Sequence, residues 1–274
     1  MPEDRRAHPR IALNTFSLEP APLPAQVDAV ARLGVALVTP MDRDVHAHGL
    51  AESAQTIRDA GLGVAALTCS GFSFATPEEA ETGRRRMDRA IDAAEAIGAP
   101  AICMTTGPRG DLAWSEAARR FAEAIAPSAE RARAAGVALS VEPVSHLFAH
   151  ISIVHRLSDV VALVKAAGIH LGVDVFACWA DADLDEALVA AAPLCSFVQI
   201  SDYHYGDLAL PCRAPLGDGD IPLQRIVSRI VAAGFTGPFD IEILGPRLAQ
   251  DRDAGLRRSI TKLDELIRTA EAVT

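Results

Sequence analysis

One junction recurs along this chain: an alanine-rich helix end, a glycine, then a short aliphatic run. It reads VARLGVALV around Gly34, IRDAGLGVAAL around Gly61 and AEAIGAPAICM around Gly98. It returns as ARAAGVALSV around Gly136, VKAAGIHLGV around Gly168 and VAAGFTGPFDI around Gly234. Glycine suits the position just past a helix because it enters the left-handed region without steric cost. A seventh junction, VAAAPLCSFVQI, uses Pro193, which cannot continue a helix. Seven junctions lead into seven strands, and IALNT (11–15) supplies an eighth before the first. The segments between carry helical spacing, as in Val27, Val30 and Ala31, or Ile226, Ile230 and Val231. Eight units over 274 residues take about 34 residues each, which predicts an α/β fold, a single (β/α)8 TIM barrel. A doubly wound sheet is disfavoured, since no G-x-G-x-x-G follows an early strand. No linker or low-complexity stretch interrupts residues 1–274, so the chain reads as one domain.

Charge and composition narrow the partners. A formal charge of -10 argues against nucleic acid, whose phosphates demand clustered Lys and Arg. The N-terminal MPEDRRAHPR is charged and lacks an apolar segment behind it, so it does not read as a signal peptide. No apolar run reaches membrane-spanning length. The five cysteines are odd in number, scattered and without a CxxC pair, which reads as reduced thiols in a cytoplasmic protein. Cys69, Cys178 and Cys212 fall near loop mouths and read as small apolar filler.

In such a barrel the chemistry gathers at the C-terminal ends of the strands. The last four strands each end on an oxygen donor. ALSVEP carries Glu142, HLGVDV Asp174, FVQIS Gln199 and FDIEIL Glu242. Alternation along a strand turns all four inward at a similar height if the flanking aliphatics face the helices. Three carboxylates crowded there repel one another, and a buried amide needs a partner. One divalent cation answers both demands. An all-oxygen set without His favours Mn²⁺ or Mg²⁺ over Zn²⁺.

These residues resemble the xylose isomerase-like barrels of the sugar isomerase/epimerase superfamily, over nearly the whole chain. The resemblance implies one metal held by Glu142, Asp174, Gln199 and Glu242, with Gln199 where most relatives have His. The V-Q-I-x-D stretch is similar to the hydroxypyruvate isomerase branch. LPCRAPLGDGDIPL (210–223) resembles a loop of inosose dehydratase- and epimerase-like members, which implies that Arg213 faces the substrate. Two positions depart from the pattern. Ala177 stands three residues after Asp174, and Ser145 three after Glu142, where His is common in relatives.

The chemistry expected is proton transfer on a keto-sugar or related 2-hydroxy ketone through an enediolate, with Glu142 and Glu242 as the catalytic acid and base. Return of the proton to the other face gives epimerisation, and return to the neighbouring carbon gives isomerisation. Loss of a β-hydroxyl gives a dehydratase or lyase. An imine mechanism is disfavoured, because Lys165 and Lys262 are the only lysines and both fall in helical segments. His146, in the loop after strand five, and Arg213 are candidate substrate contacts. So is Trp179, which with Phe16, Phe72, Phe74 and Phe148 is expected near the mouth. Asp202 reads as an orienting group and Asp220 as a helix N-cap. An endonuclease IV-like reading would need added His ligands from strands two and three. Strand three ends TCSGF, and His46 and His48 lie beyond strand two in a charged loop. A non-catalytic sugar-binding barrel is the rival from another class. The partner expected is a sugar-like small molecule, with neither nucleic acid nor membrane, and homo-oligomerisation is left open.

Overall fold

The computed structural model describes residues 7–273. The first six residues, on which the N-terminal reading partly rests, lie outside the described residues. Nine strand segments run in parallel: β1 (Ile11–Asn14), β2 (Leu37–Thr39), β3 (Gly63–Val64), β4 (Leu67–Thr68), β5 (Ala101–Met104), β6 (Ala138–Val141), β7 (His170–Asp174), β8 (Cys195–Ile200) and β9 (Phe239–Ile241). Their order is β3-β2-β1-β9-β8-β7-β6-β5-β4. The two ends of that order, β3 and β4, are halves of one chain segment. Gly63 and Val64 pair with β2, while Leu67 and Thr68 pair with β5. The ring therefore closes through a third strand that changes partner midway, and eight βα units yield nine segments.

All six junction glycines named from the sequence adopt left-handed φ values, from 65° at Gly168 to 92° at Gly234. Pro193 sits in a 3-10 turn that ends the preceding helix. The helices alternate with the strands, beginning with α1 (Leu23–Arg32), α2 (Asp42–His48), α3 (Leu50–Asp59), α4 (Pro77–Ile97) and α5 (Trp114–Ala134). His46 and His48 thus belong to a helix rather than to a loop. The series continues with α6 (Leu157–Ala167), α7 (Val175–Cys178), α8 (Leu184–Ala191), α9 (Leu223–Ala232), α10 (Pro246–Ala249) and α11 (Arg252–Glu271). Lys165 and Lys262 lie on α6 and α11. At α4 the start is fixed by a capping box, in which Thr76 and Glu79 each satisfy the other's backbone N–H.

Two apolar layers result from strand alternation. Val198 and Ile200 face outward into the large core between sheet and helices. Phe197 faces the barrel interior, where it packs with Ala66, Ala101 and Cys103. The interior is otherwise built from small side chains, and Gly172 on β7 shows why. A Cβ there would lie 2.3 Å from the Phe197 ring. Phe197 plugs the lower barrel, so the chemistry is confined to the layer above it. No helix among the described residues is long and apolar enough to cross a membrane.

Candidate active site

The four predicted donors sit at one end of the barrel. Asp174 is the last residue of β7 and registers with Gln199 on β8, which in turn registers with Asp240 on β9. Glu142 and Glu242 are the first residues beyond β6 and β9. Glu242 therefore stands one layer above the Asp174–Gln199 register rather than level with it.

At the centre of this group is a guanidinium. Arg213 reaches Asp174 in a two-pronged pair, Nη1 to Oδ1 at 3.1 Å and Nη2 to Oδ2 at 2.7 Å. Its Nη2 also lies 3.1 Å from Glu242 Oε2. The guanidinium packs over the Phe176 ring at 4.7 Å. Such a fork on a carboxylate is a strong, directional contact.

Gln199 is wholly buried beneath this cluster. Its Nε2 donates to Glu242 Oε1 at 3.4 Å and approaches Cys103 Sγ at 3.8 Å, while Oε1 has no hydrogen-bond partner. Cys103 Sγ donates to Glu142 Oε2 at 3.2 Å. Burial, then the charges of Glu242 and Asp174, push Glu142 well above the ordinary carboxylate range. Burial also raises Glu242, against the lowering pull of Arg213. Cys103 is raised well above the usual thiol range by burial and by Glu142.

The donor chemistry fits a hard divalent ion. Three carboxylates face one guanidinium here, and the carbonyl of Gln199 is buried with nothing to accept from. Spacing is another matter. Among the described residues no three His, Cys, Asp or Glu side chains stand close enough together to hold an ion, and Arg213 stands between Asp174 and Glu242.

Asp202 shapes the loop that delivers Arg213. Its Oδ1 accepts from the backbone N–H of Tyr203 at 2.9 Å and Ile221 at 3.0 Å. Its Oδ2 accepts from Gly217 at 3.0 Å and Gly219 at 3.1 Å. One buried carboxylate thus gathers both ends of the loop. Asp220 is not the cap of α9, whose N-cap is Pro222. Its Oδ2 accepts instead from Tyr205 N at 2.9 Å, pinning the same loop.

A cavity of about 680 Å³ opens above the acids, lined by Glu142, Asp174, Arg213 and Glu242. Phe16, Phe72, Phe148 and Phe176 wall it. Two predicted contacts lie elsewhere. His146 is exposed on a 3-10 turn and is not part of the lining, where His150 stands instead. Trp179 stacks on Tyr205 at 5.7 Å and leans on Tyr203, outside the lining. Phe176, one turn earlier, takes the place at the cavity. Phe74 is buried against Phe121 at 6.0 Å rather than at the mouth.

Sequence reasoning missed a buried pair one layer down. Asp240 Oδ2 accepts from Asn14 Nδ2 at 3.0 Å, and Asn14 also donates to Thr68. The signal was present, since Asp240 lies two residues before Glu242 and shares its face. Cys103 gave no such signal, being one apolar residue inside AICM.

The profile of the xylose isomerase-like TIM barrel family matches residues 27–266, and the chain belongs to that family. Among solved structures, protein SMc04130 from Sinorhizobium meliloti 1021 is similar at 27% identity, with 94% of this chain and 98% of that one covered and a TM-score of 0.82. An L-ribulose 3-epimerase aligns at 21% identity over 97% and 96% of the two chains, with a TM-score of 0.81. IOLI protein, solved with a zinc atom bound, aligns at 16% identity over 95% and 99%, with a TM-score of 0.84. No curated protein matches the chain in sequence.

Proposed function

We propose that the protein is a divalent-metal-dependent isomerase or epimerase acting on a keto-sugar or related 2-hydroxy ketone by proton transfer through an enediolate. The observation that carries this reading is the pair Glu142 and Glu242. They stand just beyond β6 and β9 with two strands between them, both line the cavity, and burial raises both. A carboxylate so tuned is a competent base toward a weakly acidic C–H and a ready donor afterwards. One takes the proton, and the other returns it.

When bound, a divalent ion held by Glu142, Asp174, Gln199 and Glu242 would polarise the substrate carbonyl and offset the charge of the enediolate. Arg213 orients the substrate's oxygens from the side of Asp174. Phe16, Phe72 and Phe176 exclude water from the reacting carbons. The structural neighbours named as a 3-epimerase and as a zinc-bound protein support the reaction class and the ion. The free cysteines support a cytoplasmic setting.

The test is solvent deuterium incorporation into a panel of keto-sugars by protein supplied with Mn²⁺, followed by NMR. We expect exchange with the wild type, and a loss of about 100-fold or more in Glu142→Gln and Glu242→Gln with circular dichroism unchanged. Near wild-type exchange in either variant removes the acid–base assignment. A protein that binds sugar yet exchanges nothing would instead be the non-catalytic barrel.

A further inference from the structure

α4 carries three consecutive arginines with different fates. Arg84 and Arg85 turn outward and pair with Glu81 at 2.7 and 3.2 Å. Arg86 turns inward and lines the cavity. Its Nη1 donates to the carbonyl of Gly71 at 2.7 Å, and no carboxylate lies within ion-pair distance of it among the described residues. The acid whose charge it feels, Asp42, is already engaged by His46 at 3.1 Å and is also near Arg89. Gly83, one turn earlier, lets the loop of Phe72 and Ser73 settle onto the helix. A Cβ at Gly83 would crowd both, at 3.1 Å from the Phe72 ring and the Ser73 carbonyl.

Position in the ring gives this arginine its meaning. Arg86 follows the third of the eight strands, whereas Arg213 follows the seventh, so the two face each other across the barrel mouth. The acids occupy the fifth to eighth units. Arg213 is committed to Asp174 and Glu242. The far wall therefore presents a guanidinium without a carboxylate partner, in a cavity walled by phenylalanines and in a protein whose formal charge is -10. A guanidinium in water-poor surroundings attracts an oxyanion strongly and fits it with a planar fork.

We infer that Arg86 binds an oxyanion, carboxylate or phosphate, on the end of the substrate remote from the reacting carbons. This rests on the proposed function and narrows its substrate to anionic keto-sugars.

Three hexuloses that differ only at C6 provide the test: D-fructose, D-fructose 6-phosphate and D-fructuronate. Isothermal titration calorimetry on the wild type, Arg86→Gln and Arg86→Lys reports equilibrium binding without need of turnover. We expect the wild type to bind at least one anionic sugar about tenfold or more tighter than D-fructose. Arg86→Gln should erase that preference, and Arg86→Lys should restore part of it. The phosphate and carboxylate arms show which oxyanion is taken. Equal binding of all three sugars by the wild type, absence of binding by both anionic sugars, or an undiminished preference in Arg86→Gln overturns the inference. Failure of the proton-transfer reading registers separately, as absent deuterium exchange whatever the binding preference.

Discussion

Arg213 and a divalent ion would claim the same oxygen atoms. Both oxygens of Asp174 and one of Glu242 are engaged by the guanidinium, and an ion drawing on those residues has to displace those contacts. Charge-assisted hydrogen bonds of this kind are worth about 1.5–3 kcal/mol each. Arg213→Met is therefore expected to bind Mn²⁺ about tenfold or more tighter than the wild type, as measured by calorimetry on metal-stripped protein. Unchanged or weaker binding would show that the arginine does not compete. At this scale the sequence was legible where chemistry interrupts a pattern. Glu142, Asp174, Gln199 and Glu242 each break an aliphatic strand, and so betray themselves. Arg86 does not, because in ETGRRRMDR it looks like any residue of a solvated helix face. Its inward turn is decided by Gly83 and by a loop packed against the helix, neither of which spacing reveals.

Among the elements, the segment from Ser201 to Pro222 is long for a connection in a compact domain, and it is held by one carboxylate. Asp202 satisfies four backbone N–H groups, of which that of Ile221 is buried. Asp202→Ala is expected to cost about 3 kcal/mol or more, lowering Tm by roughly 6–12 °C in a chain of this size. Asp202→Asn, which keeps a single acceptor oxygen, should fall between the two. Calorimetric melting of the three proteins checks the order, and an alanine variant as stable as the wild type would remove the role. Gly245 adds a second constraint, with φ at 119° and a would-be Cβ only 1.9 Å from the Pro211 carbonyl. The strands and helices themselves were readable because glycine punctuation and apolar period repeat down the chain. This loop was not, since which backbone groups a buried acid will gather depends on residues about 20 positions apart.

For the molecule as a whole, the barrel interior is divided by Phe197. Below it nothing polar is needed, and above it the acids have room. Gly172 makes that plug possible, so Gly172→Ala is expected to destabilise by about 1–3 kcal/mol through overpacking. Adding Phe197→Leu to that variant should recover much of the loss by clearing the ring. Urea melts of the single and double variants check this, and a double variant no better than the single would break the coupling. The eightfold count was legible in the sequence, but the ninth segment was not. Its cause is the stagger of neighbouring strands, which the pattern of one strand does not encode. That divided third strand has a mechanical consequence. Because Gly63–Val64 serves one neighbour and Leu67–Thr68 the other, the two ends of the strand order share one chain segment, and among the described residues no separate edge strand is left to recruit a foreign chain. The same arrangement holds the ring shut with its two shortest strand segments, which makes this seam the place where the cylinder would first unzip.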